Sequence, residues 1–269
     1  MKYFKKLLFI LFLMVACVNP TFAFGDISVT KDNGVYHIIL KGERIKKKMN
    51  FVVSEDLITN REAHIRGRSE LTINTGFFDP NNAKTISYIV TDRMISGDPM
   101  FNSALLANPF FRKNMNKILN RSEFRIMECG NKREYAIVSH KSEVPFGCVV
   151  ETSAQGGPLI LPELRLEEEG FIVKNDKGEV IRESAHVLHK TARTIIGIKG
   201  TDECHILIIT DENPMDMYEV QKLCKDLQLD RAMAFDGGSS TSFNYKNIEV
   251  VSTKGDGAGR MLKSFMVIH

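Results

Sequence analysis

The chain has 269 residues, with 36 lysines and arginines against 33 aspartates and glutamates, and a formal net charge of +3. Three of the lysines, Lys2, Lys5 and Lys6, stand in front of an N-terminal apolar run, and without them the charges balance. This balance gives no electrostatic basis for a nucleic-acid partner, so that class of function is set aside.

The N-terminal segment has the pattern of a secretory signal peptide. The apolar run from Leu7 to Cys17 is long enough for a signal-peptide core and short for a membrane span. Thr21 and Ala23 supply small residues at the spacing that a signal peptidase reads, so residues 1–23 are predicted to be removed. Cys17 also ends a sequence similar to a lipobox, and its lipidation would hold the protein on a membrane. We expect an exported protein, periplasmic or secreted, with a lipoprotein as the alternative.

Residues 24–269 are predicted to form a single domain, because they contain no repeat, linker or break in composition. Four cysteines remain in this part, an even number that an oxidising compartment could pair. Two of them lie in apolar segments, where a buried free thiol is an equally good interpretation. The four are Cys129, Cys148, Cys204 and Cys224.

Strand patterns dominate the first half. Two β-prone runs around the turn at Asn33-Gly34 predict a hairpin, and a second hairpin is predicted around Gly130. The first convincing helical stretch is 102–120, which Pro109 interrupts. The predicted strands are 26–30, 35–40, 50–53, 71–74, 124–129 and 135–139.

The last third predicts a β-α-β unit. Residues 205–210 form a continuous apolar run, as a strand buried on both faces requires. Asn213 and Pro214 then have the pattern of a helix N-cap followed by proline at the first helical position. A strand is predicted again at 231–235, and a parallel crossover would join the two strands. The expected fold class is mixed α/β (α+β), with a large, partly antiparallel sheet.

The sequence contains three glycine-rich turns, two of which follow predicted strands. Bare backbone at such turns lets a ligand approach closely, while the flanking hydroxyl, amide and carboxylate groups can bind sugars and anions. Each turn taken alone is more often a structural turn than a site, and the aromatic residues could equally belong to the core. The three turns are Asn74-Thr75-Gly76-Phe77-Phe78-Asp79, Gln155-Gly156-Gly157-Pro158-Leu159 and Asp236-Gly237-Gly238-Ser239-Ser240.

Other side chains suggest weaker hypotheses. Arg193 and Thr194 begin an apolar strand, where a guanidinium could offer a bidentate fork to phosphate. His186 and His189 lie three residues apart, but no further ligand has the spacing of a metal site. No cofactor is predicted, although a calcium ion could be held if aspartates come together; the candidates are Asp79, Asp92, Asp98 and Asp236.

Together, the three turns and the run Ala192-Arg193-Thr194-Ile195-Ile196-Gly197 resemble, in order, the sequence blocks of the phosphodiester glycosidase family. The resemblance covers the chain from about Leu71 to the C-terminus. Thr75 departs from it, because the family usually has two glycines after the asparagine of the first block.

The resemblance implies a hydrolase that cleaves the glycosidic bond of a sugar-1-phosphodiester. It implies a carbohydrate or glycan phosphodiester of the N-acetylglucosamine-1-phosphate type as the partner, in envelope or extracellular glycans. Asp236 would act at the anomeric carbon as nucleophile or cation-stabilising base, and Arg193 would hold the phosphate; Asp79 is a third catalytic candidate. The substrate-binding candidates are Asn74, Gly76, Phe78, Gln155, Thr194, Gly237, Gly238, Ser239 and Ser240.

Two other functions stay open at this point. A glycan-binding or exopolysaccharide-assembly protein could keep the pocket without the chemistry. A phosphodiesterase would instead cleave the bond between phosphorus and oxygen. The division of roles between Asp79 and Asp236, and the choice between retention and inversion at the anomeric carbon, both stay open because they depend on the distance between the two carboxylates.

Overall fold

The computed structural model of the chain describes residues 26–254 and 257–269, so the predicted signal peptide and Cys17 lie outside the described residues. The strands are β1 (Ile27–Asp32), β2 (Val35–Lys41), β3 (Met49–Ile58), β4 (Leu71–Asn74), β5 (Phe78–Asp79), β6 (Lys84–Thr85), β7 (Ile89–Thr91), β8 (Met94–Gly97), β9 (Ser122–Cys129), β10 (Lys132–Ser139), β11 (Cys148–Gln155), β12 (Leu159–Leu161), β13 (Ile172–Lys174), β14 (Val180–Glu183), β15 (Arg193–Lys199), β16 (Glu203–Ile209), β17 (Arg231–Ala234), β18 (Ser242–Tyr245), β19 (Ile248–Val251) and β20 (Leu262–Ile268). The helices are α1 (Glu43–Lys48), α2 (Asn60–Gly67), α3 (Ser103–Ala107), α4 (Pro109–Arg112), α5 (Met115–Ile118) and α6 (Met217–Asp226).

Three large sheets build the fold. The six-stranded sheet has the order β1-β2-β16-β15-β17-β12. The two five-stranded sheets have the orders β10-β9-β11-β7-β8 and β19-β18-β4-β20-β3. Among the described strands, every ladder of more than one pair runs antiparallel. The mixed α and β class and the largely antiparallel sheet are confirmed.

All three large sheets contribute side chains to one central core. Ile196 and Ile206 come from the six-stranded sheet, Phe124 from the β9 sheet, and Ile73 and Met266 from the β4 sheet. On its other face the six-stranded sheet packs against α6 in a second cluster. Because successive side chains of a strand point to opposite faces, β16 sends Ile206 and Ile208 to one core and Leu207 and Ile209 to the other. The predicted strand buried on both faces is therefore present.

The predicted crossover near the C-terminus is not confirmed as a simple β-α-β unit. Helix α6 does follow β16 and precede β17, but β15 lies between these strands and pairs antiparallel with both. The helix also begins later than Asn213-Pro214 predicts. Its N-cap is Asp216, whose carboxylate accepts the N–H groups of Tyr218 and Glu219 in a capping box. Met217, Val220 and Cys224 form its buried face, as the periodicity predicts.

The strand predictions for the first half are largely confirmed, and the helix prediction is confirmed only in outline. The hairpins β1–β2 and β9–β10 have the predicted turns. Segment 102–120 contains three short helices, with Pro109 at the first position of α4. Proline cannot donate to the preceding turn, which ends α3 at Ala107.

A disulfide between Cys129 and Cys148 joins the ends of neighbouring strands β9 and β11. Cys204 and Cys224 are free thiols, both buried, which selects between the two alternatives left open for them. In the described part of the chain, no helix is both long and apolar enough to cross a membrane.

Candidate active site

A cavity of about 210 Å³ lies where several chain segments meet. Most of its wall is apolar, and the charged groups in it are Asp236, Arg121 and Arg260. The remaining lining residues are Phe77, Phe78, Ile86, Leu105, Phe111, Ile118, Phe171, Ser184 and Ala185. A small aromatic cavity with a few converging charged groups is the kind of place in which proteins bind and transform small ligands.

Asp236 reaches this cavity because β17 ends just before it. Its main-chain N–H donates to the carbonyl of Thr75 at 2.8 Å, and its own carbonyl accepts from Asn74 Nδ2 at 2.6 Å. The first and last of the predicted turns are therefore joined directly, although 162 residues separate Asn74 from Asp236 in sequence.

Asn74 is buried, forms hydrogen bonds to several strands and does not line the cavity. Its Oδ1 accepts hydrogen bonds from Thr194 Oγ1 at 2.7 Å and from the Ser242 N–H at 3.1 Å. The hydrogen bonds of its side-chain amide are therefore made within the protein, to β15, to β18 and to the end of β17. We infer that Asn74 and Thr194 position Asp236 and do not bind sugar themselves.

Burial raises the pKa of Asp236 from 3.8 to about 6, against the opposing effects of the Ser240 hydroxyl, the positive charge of Arg260 and the Gly237 N–H. The half-buried carboxyl group therefore titrates close to neutral pH. A carboxylate at this position is ionised at neutral pH yet poorly solvated, which favours its reaction with a developing positive charge.

Arg260 brings a cation to the same cavity. Its Nη1 donates to Ser239 Oγ at 2.9 Å, and its guanidinium carbon lies 5.2 Å from the centroid of the Phe78 ring. In the described residues, Arg260 forms no ion pair with a carboxylate, so its charge is available to a ligand. This arrangement places a fixed donor and a hydroxyl next to Asp236.

Arg121, just before β9, supplies a second cation to the cavity. Its guanidinium lies 3.9 Å from the Phe171 ring centroid, and its Nε donates to the Glu169 carbonyl at 3.0 Å. Among the residues that the structure describes, neither Nη atom has a hydrogen-bond acceptor. Burial lowers the pKa of Arg121 to about 10, partly offset by the charge of Glu169, so the group stays protonated at neutral pH.

Arg193, the cation that the sequence suggested, has a different position. It is 1% exposed, and its guanidinium donates to main-chain carbonyls only: Met215 at 3.0 Å, Ala185 at 3.1 Å, His186 at 2.6 Å and His189 at 2.7 Å. It does not line the cavity. We therefore revise its predicted role, because a guanidinium that already has four acceptors cannot also grip a phosphate. It holds the turn that contributes Ser184 and Ala185 to the cavity wall.

The glycines of the predicted turns act through close packing and backbone conformation. A Cβ on Gly76 would lie 2.7 Å from Ser87 Cβ, so only glycine allows this approach. Gly238 has φ of 59°, in the left-handed region that favours glycine, and its N–H donates to Ala192 O at 2.7 Å. Gly237 precedes it in extended conformation, and Ser240 is buried beneath the loop.

Gln155 and Asp79 lie outside the cavity lining. Gln155 is buried, where Oε1 accepts the Tyr88 N–H and Nε2 donates to the Arg121 carbonyl, so it supports the strand that presents Arg121. Asp79 Oδ1 accepts the Asn81 N–H at 2.9 Å and so stabilises the turn between β5 and β6. The catalytic role predicted for Asp79 has no support in this geometry.

The four aspartates considered for calcium are dispersed. Asp92 accepts from the Asn50 amide, Asp98 caps a short 3₁₀ helix at Pro99–Phe101, and Asp79 and Asp236 have the positions given above. Within residues 26–254 and 257–269, no group of three or more histidine, cysteine or acidic side chains could hold a metal ion.

Sequence reasoning missed Arg121 and Arg260. Arg260 follows residues 255–259, a stretch rich in glycine, and this composition is the available signal in the sequence. Arg121 immediately precedes β9 and has no motif around it. Only the folded chain shows that both side chains turn toward Asp236.

The sequence profile of the phosphodiester glycosidase family matches residues 67–269. The chain belongs to this family. No curated protein sequence matches the chain significantly.

Solved structures with the same fold include a member from zebrafish. The catalytic domain of zebrafish N-acetylglucosamine-1-phosphodiester alpha-N-acetylglucosaminidase, auto-inhibited by its pro-peptide, superposes with a TM-score of 0.64 at 15% sequence identity, over 90% of this chain and 81% of that one. A hypothetical protein from Synechocystis superposes with a TM-score of 0.60 at 12% identity, over 90% of this chain and 62% of that one. At such identities the likeness shows the shared fold.

Thr75, the departure from the family blocks, fits without disturbing the cavity. The residue is buried, and its hydroxyl donates to Ser264 Oγ at 3.0 Å. Its carbonyl still accepts the Asp236 N–H, so the link between the first and last family blocks is intact.

Proposed function

We propose that this chain is an exported glycosidase that hydrolyses the bond between the anomeric carbon of a sugar and the phosphate oxygen of a phosphodiester, in envelope or extracellular glycans. The observation that carries the proposal is the shared cavity of Asp236, Arg260 and Arg121. One anion and two cations in an aromatic cavity match a substrate with an apolar sugar face, an anomeric carbon and a phosphate. Membership of the phosphodiester glycosidase family supports the same reaction class.

Asp236 would act on the anomeric carbon. Cleavage of a glycosidic bond passes through a state resembling an oxocarbenium ion, which a nearby carboxylate stabilises or attacks. The leaving group is a phosphate, which departs without a strong proton donor. One carboxylate in the cavity is therefore sufficient for bond cleavage, and a water molecule supplies the new hydroxyl at the anomeric carbon.

Arg260 and Arg121 would hold the phosphate. Negative charge moves onto the bridging oxygen as the bond breaks, and fixed donors aimed at it stabilise the transition state more than the ground state. Arg260 is fixed by Ser239 and Phe78, and Arg121 by Phe171 and the Glu169 carbonyl. Both guanidinium groups are thus oriented before the substrate arrives, which limits the entropy lost on binding.

The apolar wall would accept a single sugar ring. Phe77, Phe78 and Phe171 offer aromatic surface against which the C–H face of a pyranose can pack. The volume of about 210 Å³ is below that of typical pockets for larger ligands, which favours a terminal monosaccharide over an internal unit of a polymer.

Two features support export. Residues 1–23 have the signal-peptide pattern described above, and the Cys129–Cys148 disulfide suits an oxidising compartment. The proposal covers a periplasmic or a secreted protein, and lipidation at Cys17 is an alternative form of it.

Release of sugar from a defined substrate tests the function. The purified protein is incubated in ¹⁸O-labelled water with the methyl ester of α-N-acetylglucosamine-1-phosphate, and both products are analysed by mass spectrometry. We expect free sugar that carries the label at the anomeric carbon, and loss of turnover in Asp236→Asn. Asp79→Asn, outside the cavity, is the matched control and should retain activity.

Other outcomes assign the alternatives. Label in the phosphate would mean that the bond between phosphorus and oxygen is cleaved, as a phosphodiesterase does. Binding of the substrate without release, over a panel of sugars, would show a glycan-binding protein on the same fold.

A further inference from the structure

A buried carboxylate adjoins Arg121 without lining the cavity. The residue is Glu169, which is 4% exposed. Its main-chain carbonyl accepts the hydrogen bond of 3.0 Å from Arg121 Nε. Its carboxylate Oε1 accepts a hydrogen bond of 2.6 Å from Ser122 Oγ, on the residue that follows Arg121 in the chain. Glu169 therefore contacts Arg121 and its neighbour from two different groups.

The same carboxylate contacts the second glycine-rich turn, residues 155–159. Its Oε1 also accepts the Leu159 N–H at 3.2 Å. A Cβ at Gly157 would clash with Glu169 Oε2, and it would lie 3.0 Å from the Phe171 ring on which the Arg121 guanidinium packs. Glycine at position 157 thus leaves room for the Glu169 side chain beside Arg121. Since no residue of this turn lines the cavity, the turn acts on the cavity through Glu169.

Stability alone does not favour a carboxylate at this place. Glu169 Oε2 is buried and has no hydrogen-bond partner among the residues that the structure describes. Burial raises the pKa of the carboxyl group, and the hydrogen bonds from Ser122 and Leu159 and the charge of Arg121 offset this only in part. A buried polar atom without a partner costs free energy that a partnered or apolar group would not. An unsatisfied group of this kind therefore calls for a functional explanation.

The charge of Glu169 also compensates for a crowding of cations. Arg182 Nη2 donates to the Gly170 carbonyl at 2.9 Å, so Arg121 and Arg182 are bound to consecutive carbonyls. Burial lowers the pKa of Arg121, the charge of Glu169 raises it, and the charge of Arg182 lowers it further. Like charges repel strongly where water is excluded. Glu169 thus stabilises the charged form of Arg121 close to another arginine.

We propose that Glu169 is a positioning residue for the phosphate site. It fixes the Arg121 guanidinium through its carbonyl, fixes the start of β9 through Ser122, and supplies the negative charge that keeps two arginines close together. Because Glu169 does not line the cavity, its effect on the reaction passes through Arg121. This inference rests on the proposed function, in which Arg121 holds the phosphate.

A double-mutant cycle tests this role. We measure kcat/KM for the methyl ester of α-N-acetylglucosamine-1-phosphate in the wild type, Arg121→Ala, Glu169→Gln and the double variant. Arg121→Ala should lower kcat/KM by about 10²-fold, as loss of one transition-state donor does. Glu169→Gln keeps an acceptor for Ser122 and removes the charge, and it should lower kcat/KM by about tenfold. In the Arg121→Ala background it should have no further effect, because the group that it positions is absent.

Two further variants complete the cycle. Ser122→Ala removes the hydrogen bond to Oε1 and leaves the charge, so its effect should be smaller and should also vanish without Arg121. Glu123→Gln is the matched control, since Glu123 is another buried carboxylate, bonded to Arg125 and His140. Its effect on kcat/KM should be equal with and without Arg121. A Glu169→Gln effect that is equal in both backgrounds, or absent from both, would overturn the proposal.

Phosphate binding separates this inference from the proposed function. Inorganic phosphate is titrated into the same variants by calorimetry, which needs no turnover. We expect Glu169→Gln to weaken binding when Arg121 is present and to leave it unchanged in Arg121→Ala. This result supports the positioning role even if the wild type releases no sugar. Phosphate affinity that Glu169→Gln leaves unchanged or strengthens in the presence of Arg121 contradicts it.

Discussion

Asn74 Nδ2 donates a hydrogen bond of 2.6 Å to the main-chain carbonyl of Asp236, the residue that we place at the anomeric carbon. The contact joins the ends of β4 and β17, which belong to different sheets. It explains how two turns far apart in the sequence become one site. The position of the Asp236 carboxyl group thus depends on a side chain that the substrate does not touch.

Replacing Asn74 should therefore lower both stability and turnover. Asn74→Ala leaves the Asp236 carbonyl, Thr194 Oγ1 and the Ser242 N–H without their buried partner, at a cost of roughly 2–4 kcal/mol in the free energy of unfolding. We expect kcat to fall far more than the fraction of folded protein does. Asn60→Ala is the control, because Asn60 is another buried amide, bonded to Ser242 O and Asn244, outside the cavity. Equal kcat in the two variants, measured well below their melting temperatures, would argue against a positioning role.

Arg260 should contribute mainly to the transition state. Arg260→Ala removes the donor closest to Ser239, and loss of one such donor typically lowers kcat/KM by about 10²-fold. Ser239→Ala should have a smaller effect of the same kind, because it loosens the arginine without removing its charge. Arg61→Ala removes an exposed arginine 3.6 Å from Glu249 and should leave steady-state kinetics unaltered. A wild-type kcat/KM in Arg260→Ala would remove this residue from the site.

Arg193 should be a determinant of stability. Arg193→Lys keeps the positive charge but cannot satisfy four carbonyls arranged around a planar guanidinium, so we expect a loss of about 3 kcal/mol or more in unfolding free energy. Arg61→Lys, at the surface, should lose almost none. Calorimetric phosphate titrations, made at a temperature where both variants are folded, should give similar affinities to the wild type. A specific loss of phosphate binding in a stable Arg193→Lys protein would restore the role first predicted for it.

Asp236 should destabilise the folded protein at neutral pH. Its pKa is about 6 in the folded state against 3.8 for the ordinary group, so ionisation is favoured in the unfolded chain. Below pH 3.8 the carboxyl group is protonated in both the folded and the unfolded chain, and its contribution to the free energy of unfolding is fully present. This contribution is lost as the pH rises through about 6, the pKa in the folded state. Asp236→Asn, which is never charged, should therefore match the wild type at low pH and exceed it by up to about 3 kcal/mol above pH 7. Chemical unfolding at several pH values measures the difference, and a constant difference at all pH values would contradict the raised pKa.

Local patterns predicted the elements of this fold better than their arrangement. The hairpin at Asn33-Gly34 and the buried strand at 205–210 depend on turn residues and on apolar runs, and both patterns are visible in the sequence. An apolar strand beginning at Arg193 was predicted, but its place could not be, because β15 separates β16 from β17 through contacts that no local pattern encodes. The helix start moved from Asn213 to Asp216 since the capping box with Glu219 satisfies more N–H groups than a proline start does.

The same distinction applies to the site. Asp236 and the glycines beside it were predicted, because a carboxylate and a bare turn after a buried strand form a local signal. The role of Arg193 was misjudged, since the sequence does not show that four carbonyls surround its guanidinium. Arg121 and Arg260 were missed for the complementary reason: each becomes a ligand group only when the folded chain places it beside Asp236.

The pH dependence of kcat/KM tests most directly whether Asp236 and Arg260 act together on one bond. Measured from about pH 4.5 to about pH 8, it reports the ionisation of the groups that the free enzyme needs. We expect activity to fall as pH drops through about 6, where Asp236 takes up its proton. In Arg260→Gln the fall should move to higher pH, because the positive charge that lowers the pKa of Asp236 is gone. A profile without this fall, or one that Arg260→Gln leaves in place, would contradict the shared site.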